Sequence, residues 1–97
     1  MHRPAWRSEA HRRRHFESHR RELHVRSVEE YETSAHETMR IGAYFEFADD
    51  DAGDLRVGYY DRWTERLTVL SDDELLILTQ FRFPERYVVT RRGSTYS

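Results

Sequence analysis

A chain of 97 residues with 18 acidic and 16 basic side chains, net charge -2, is long enough for one modest core and too short for two. Without cysteine it has no disulfide, thiol nucleophile or thiolate metal ligand. The basic start Met1-His2-Arg3-Pro4 is not followed by an apolar run, so neither a secretory signal nor a membrane span is expected, and the default is a soluble, cytoplasmic protein.

Charge is unevenly spread. Residues 1–26 hold eight arginines against three glutamates, residues 27–55 one arginine against nine acidic groups, and residues 56–97 seven against six. A basic segment of this kind attracts a polyanion locally without making the whole chain a non-specific nucleic-acid binder. Every basic residue is arginine. That fits planar, bidentate phosphate contacts, although base composition is the simpler explanation.

In chain order, residues 1–7 read as a flexible basic arm in which Trp6 is the only anchor. From the N-cap Ser8 to about Leu23 the absence of Gly and Pro predicts a first helix, with sparse apolar positions at Ala10, Phe16 and Leu23. His15 and His19 are four apart and so share one face, with His11 extending the row by a turn. Ser27-Val28-Glu29-Glu30 is a capping box that starts a second helix over roughly 27–40. Its apolar stripe is Val28, Tyr31, Ala35 and Met39, and Gly42 ends it.

Beyond Gly42 the period becomes two. Tyr44–Phe47, Leu55–Tyr60, Arg66–Leu70 and Leu75–Phe83 read as strands, separated by turns at residues 49–54, 61–65 and 71–74, and Pro84 stops the last. The result is an α+β domain over 8–90, two N-terminal helices packed on a small antiparallel sheet of about four strands. Tyr87-Val88-Val89 adds a possible short edge strand, and residues 91–97 read as a loose tail.

Four segments carry a resemblance. His15-Phe16-Glu17-Ser18-His19, Ser27-Val28-Glu29-Glu30-Tyr31, Tyr60-Asp61 with Thr64 and Leu67-Thr68-Val69-Leu70-Ser71, and Thr79-Gln80-Phe81 follow one another in the order of a toxin module. In that order the chain resembles the barnase, EndoU, colicin and RelE ribonuclease superfamily over about residues 15–84. The resemblance implies two helices on a small antiparallel sheet and metal-free RNA cleavage. One departure is Ser18, where the family pattern has lysine between the two histidines; here an arginine has to neutralise phosphate charge instead.

Metal-free cleavage needs a base for the 2'-hydroxyl proton, an acid for the leaving 5'-oxygen and cations near the phosphate. His15 and His19 suit the proton roles, one neutral and one charged, which implies a bell-shaped rate against pH. Thr79 interrupts an apolar strand face and joins them as a catalytic candidate, either contacting phosphate or satisfied within the sheet. Arg14, Arg20 and Arg82 are candidate phosphate ligands, and Tyr31 is either a substrate contact or part of the core stripe. Tyr60 and Trp63 read first as turn packing and second as base stacking. His11 and His24 read as bystanders.

The i, i+4 histidines also have zinc-site spacing, but no third ligand falls near them in sequence, and no cofactor is expected. Expected partners are RNA and an inhibitor or antitoxin protein, with no membrane; the oligomeric state is open. Competing with the ribonuclease are a non-catalytic RNA-binding or protein-binding module of the same fold and, more weakly, a structural component of a phage or secretion particle.

Overall fold

A computed structural model of the protein describes residues 4–49 and 53–87. In chain order the elements are β1 (Ala5–Trp6), α1 (Glu9–Leu23), α2 (Val28–Ile41), β2 (Ala43–Ala48), β3 (Leu55–Asp61), β4 (Arg66–Ser71) and β5 (Leu76–Arg82). The class is α+β, with five strands rather than four in the order β1-β5-β4-β3-β2. The added strand lies in the segment read as a flexible arm: Ala5 and Trp6 pair in parallel with Leu76 and Ile77. Residues 91–97 and the Val88-Val89 part of the edge-strand reading lie outside the described residues, and Tyr87 lies in a helical turn.

Local chemistry sets the helix starts. The Ser8 hydroxyl accepts the His11 N–H at 3.1 Å, and the Ser27 hydroxyl accepts that of Glu30 at 3.1 Å. The returning Glu30 carboxylate takes the Arg26 N–H at 2.9 Å, one residue upstream of the expected capping-box partner. Gly42 does end α2, yet its φ of -78° is not left-handed. What it supplies is closeness: a Cβ there would sit 2.5 Å from the Thr38 carbonyl oxygen and 2.9 Å from the Tyr60 nitrogen.

Three apolar clusters hold the layers together. Phe16, Leu23, Val25, Val28 and Tyr31 join the two helices, with Trp6 packed against them. Val57, Leu70 and Ile77 meet Met39 beneath α2. A third cluster of Phe45, Phe47, Tyr60, Leu67 and Val69, flanked by Leu78, Phe81 and Phe83, occupies the other face of the sheet. Burial of each such side chain stabilises the fold by about 1.5–3 kcal/mol relative to exposure.

Two features of β5 position the site. Between Val69↔Thr79 and Leu70↔Ile77 the register slips by one residue, a bulge at Leu78. Above it, β1 has already stopped, and a side chain of α1 meets the bare edge of β5: the Glu22 carboxylate accepts the Arg82 N–H at 2.9 Å.

Candidate functional site

The sheet face carrying the phenylalanines forms a cleft of about 540 Å³. Phe45, Phe47, Leu67, Val69, Leu78, Phe81 and Phe83 make its apolar floor. Arg7, His11, His15 and Thr79 line it on the α1 side, and Asp49 and Arg56 on the β2–β3 side. Arg56 lies 3.9 Å from Asp49 and 3.5 Å from Asp54, so much of its charge is met locally.

The histidine row predicted on α1 is real and lies along this cleft. Ring centroids of His11 and His15 are 4.5 Å apart, and those of His15 and His19 are 6.2 Å apart. Trp6 packs beneath them, 5.6 Å from His11, 6.2 Å from His15 and 5.4 Å from Tyr31. The short strand β1 therefore sets the floor of the row as well as extending the sheet.

His15 is strongly perturbed. Desolvation is the main cause, followed by repulsion from His11, His19 and Arg14, and together they push its pKa down to about 4. The ring is thus neutral at ordinary pH. Its Nδ1 lies 2.9 Å from the Thr79 hydroxyl, a contact across 64 residues of sequence. His11 is also shifted down, by burial first and then by Arg7 and Arg14, against an opposing hydrogen bond to Leu78.

His19 stands just outside the cleft lining, its ring 5.7 Å from Phe81. Its Nδ1 is 3.1 Å from Glu22 Oε1, close enough for charge pairing, although the two are not aligned as a hydrogen bond. The other oxygen of Glu22 holds the Arg82 backbone, so the carboxylate is fixed in place.

The expected arginines scatter. Arg14 is exposed on α1, near enough to repel a proton from His15. Arg20 points elsewhere: its guanidinium lies 5.0 Å over the Phe16 ring, and it lines a separate depression with Arg21, His24 and Arg26. Arg82 is engaged by Glu65 at 2.6 Å. Tyr31 is fully buried and does not face the cleft, contrary to the substrate-contact reading, because its ring belongs to the inter-helix core. Its hydroxyl donates to the Gln80 carbonyl at 2.9 Å and accepts the Gln80 N–H at 3.2 Å.

Tyr60 is buried with its hydroxyl on the Phe83 carbonyl at 2.7 Å, as turn packing requires. Trp63 is not packed: it is 89% exposed, with Arg62 5.9 Å from its ring. Arg7, Asp49 and Arg56 join the cleft without having been singled out, and His11, read as a bystander, lines it as well. Position i-4 before His11 was the available signal for Arg7; nothing local marks Asp49 or Arg56. Among the described residues no three His, Asp or Glu side chains converge as a set of metal ligands, and no helix is long and apolar enough to cross a membrane. No family model, curated protein or solved structure matches the chain.

Proposed function

We propose that this protein is a metal-independent, toxin-like endoribonuclease in which His15 acts as the base and His19 as the acid. The observation that carries the reading is His15, a cleft-lining imidazole kept neutral by burial and cationic neighbours and held by Thr79. In the proposed reaction His15 takes the 2'-hydroxyl proton as that oxygen bonds to phosphorus. His19 gives a proton to the 5'-oxygen as its bond to phosphorus breaks, leaving a 2',3'-cyclic phosphate and a 5'-hydroxyl. The Glu22 carboxylate beside His19 Nδ1 provides a counter-charge for the protonated ring.

Arg7, on the cleft wall, and Arg14, beside His15, supply positive charge for the phosphate in place of the lysine that Ser18 replaces. The phenylalanine floor offers faces on which bases stack. The two-helix, antiparallel layout agrees with the fold that the superfamily resemblance implies. An RNA substrate makes the cytoplasm the working compartment, and an inhibitor or antitoxin protein the partner that a toxin of this kind requires.

Cleavage of RNA in excess EDTA by the wild type, His15→Ala and His19→Ala is the test. The expected result is 2',3'-cyclic products from the wild type and a loss of about a hundredfold or more in each variant. Undiminished cleavage in both variants would remove the two histidines from the mechanism. One observation favours a second reading, a non-catalytic RNA-binding or protein-binding module: His19 stands outside the cleft, and Arg20 and Arg82 are turned away or engaged. That reading predicts salt-sensitive RNA binding without turnover.

A further inference from the structure

Phe83 lies on the cleft floor just past the end of β5, and both polar groups of its backbone are held. Its N–H donates to the Glu65 carbonyl at 2.7 Å, and its own carbonyl accepts the Tyr60 hydroxyl at 2.7 Å. Two turns meet there. In the β3–β4 turn the buried Asp61 carboxylate accepts the Trp63 N–H at 3.1 Å and the Thr64 hydroxyl at 2.8 Å, and the Thr64 oxygen accepts the Arg66 N–H at 3.3 Å. In the turn after β5 the Tyr87 N–H donates to the Pro84 carbonyl at 3.0 Å, and the Tyr87 ring lies 5.7 Å from that of Phe83. Arg62 and Glu85, 3.4 Å apart, tie the two turns together.

Each turn carries an exposed aromatic ring with an arginine beside it. Arg62 stands 5.9 Å from the Trp63 ring centre, and Arg86 stands 4.8 Å from that of Tyr87. The first turn is well fixed, yet it leaves its indole 89% exposed, apolar area that only an occupant can bury. Aromatic faces with guanidinium groups beside them suit unpaired bases, whatever their identity. A duplex, whose bases stack on one another, offers them no free face.

The site is continuous with the cleft on one side. From His19, ring contacts of 5.7, 5.6 and 5.7 Å run through Phe81 and Phe83 to Tyr87. The nucleotides joined through the leaving 5'-oxygen, to which His19 is assigned, are those 3' of the cut. We propose that Trp63 and Tyr87, each flanked by an arginine, form a stacking site for unpaired nucleotides 3' of the scissile phosphate, so that the substrate is RNA single-stranded on that side. The polarity rests on the ribonuclease reading above; the binding of unpaired bases rests on the two turns alone.

The probe is a 2'-O-methyl oligoadenylate, which has no 2'-hydroxyl and cannot be cleaved, added to the full chain. Trp63 emission is read as the difference between wild type and Trp63→Phe, since Trp6 is common to both, and affinity by anisotropy of the fluorescein-labelled strand. The expected result is saturable quenching of Trp63, with affinity about tenfold weaker in Trp63→Ala and in Tyr87→Ala, both shown folded by amide spectra. A duplex of the same strand should leave the emission unchanged. Binding without quenching, undiminished affinity in both variants, equal quenching by the duplex, or no binding would each overturn the proposal. With unmodified RNA, pairing the 3' flank of the cut should lower kcat/KM of the wild type about tenfold and that of Trp63→Ala little; a loss only on pairing the 5' flank overturns the assigned side. Quenching without cleavage overturns the ribonuclease reading and leaves the stacking site standing, and cleavage indifferent to the 3' flank does the reverse.

Discussion

His15→Gln is expected to remove part of the pH dependence of folding. Glutamine keeps a donor within reach of Thr79 but does not titrate. In the wild type the folded-state pKa is about 4 against 6.5 for an unperturbed imidazole. Between those values the unfolded chain takes up a proton that the native ring refuses, so stability is full above 6.5, declines as pH falls, and levels off below about 4. At 1.36 kcal/mol for each pH unit the interval sets a ceiling of about 3.4 kcal/mol. The ring keeps solvent contact, and halving for screening leaves about 1.7 kcal/mol, of which about 1.5 kcal/mol falls between pH 7 and pH 4 because the native ring is only half protonated at pH 4. His11, His19, Arg14 and Glu22 stay in both proteins, so the difference between them isolates His15 apart from a small relief of its neighbours. Urea unfolding at about pH 7 and about pH 4, with unchanged m, supplies the four free energies. The wild type should lose about 1.5 kcal/mol more than the variant on acidification. An equal loss in both, within about 0.3 kcal/mol, would refute the claim that the cleft keeps His15 neutral.

The remaining predictions concern the scaffold of the cleft. Gln80→Leu removes two buried hydrogen bonds, from Ser34 and to the Tyr31 carbonyl. Ser34 keeps Arg66 as a donor to its oxygen but loses the acceptor of its own proton, so the expected cost is about 2 kcal/mol, a drop in Tm of roughly 8–16 °C measurable by calorimetry. Gly58→Ala places a Cβ 2.7 Å from the Phe45 ring, which is 1% exposed and stacked on Phe47. Tilting that ring toward the cleft should cost about 1–2 kcal/mol and weaken RNA binding in a titration; binding at wild-type strength would separate the floor from recognition.

Readability of the chain tracked how local each cause was. Ser8 and Ser27 act within three residues, so both helix starts were visible, as was the spacing that aligns the histidines. Tyr31 sat correctly on the stripe of α2, and the choice between core and substrate depended on what lay opposite, which no pattern in α2 records. Thr79 raised a legible question, a hydroxyl in an apolar run, but its answer lay 64 residues away. β1 is two residues long and pairs with a strand some seventy positions later, too short for any periodicity. Where Arg20 and Arg82 lie was not legible, because charge alone does not say whether a phenyl face or Glu65 will hold a guanidinium.

Along a strand, odd and even positions belong to opposite faces, and β5 changes that assignment midway. Ile77 and Thr79 would share a side in an unbroken strand; instead Ile77 joins the core beneath α2, while Thr79 and Phe81 line the cleft. Leu78 is the residue that shifts the phase. The first half of β5 can therefore keep the parity demanded by Leu70 and β1, while the second half keeps that demanded by His15 and Tyr31. Deleting Leu78 would set these two demands against each other: a single phase along β5 can serve the core or the histidine, but not both.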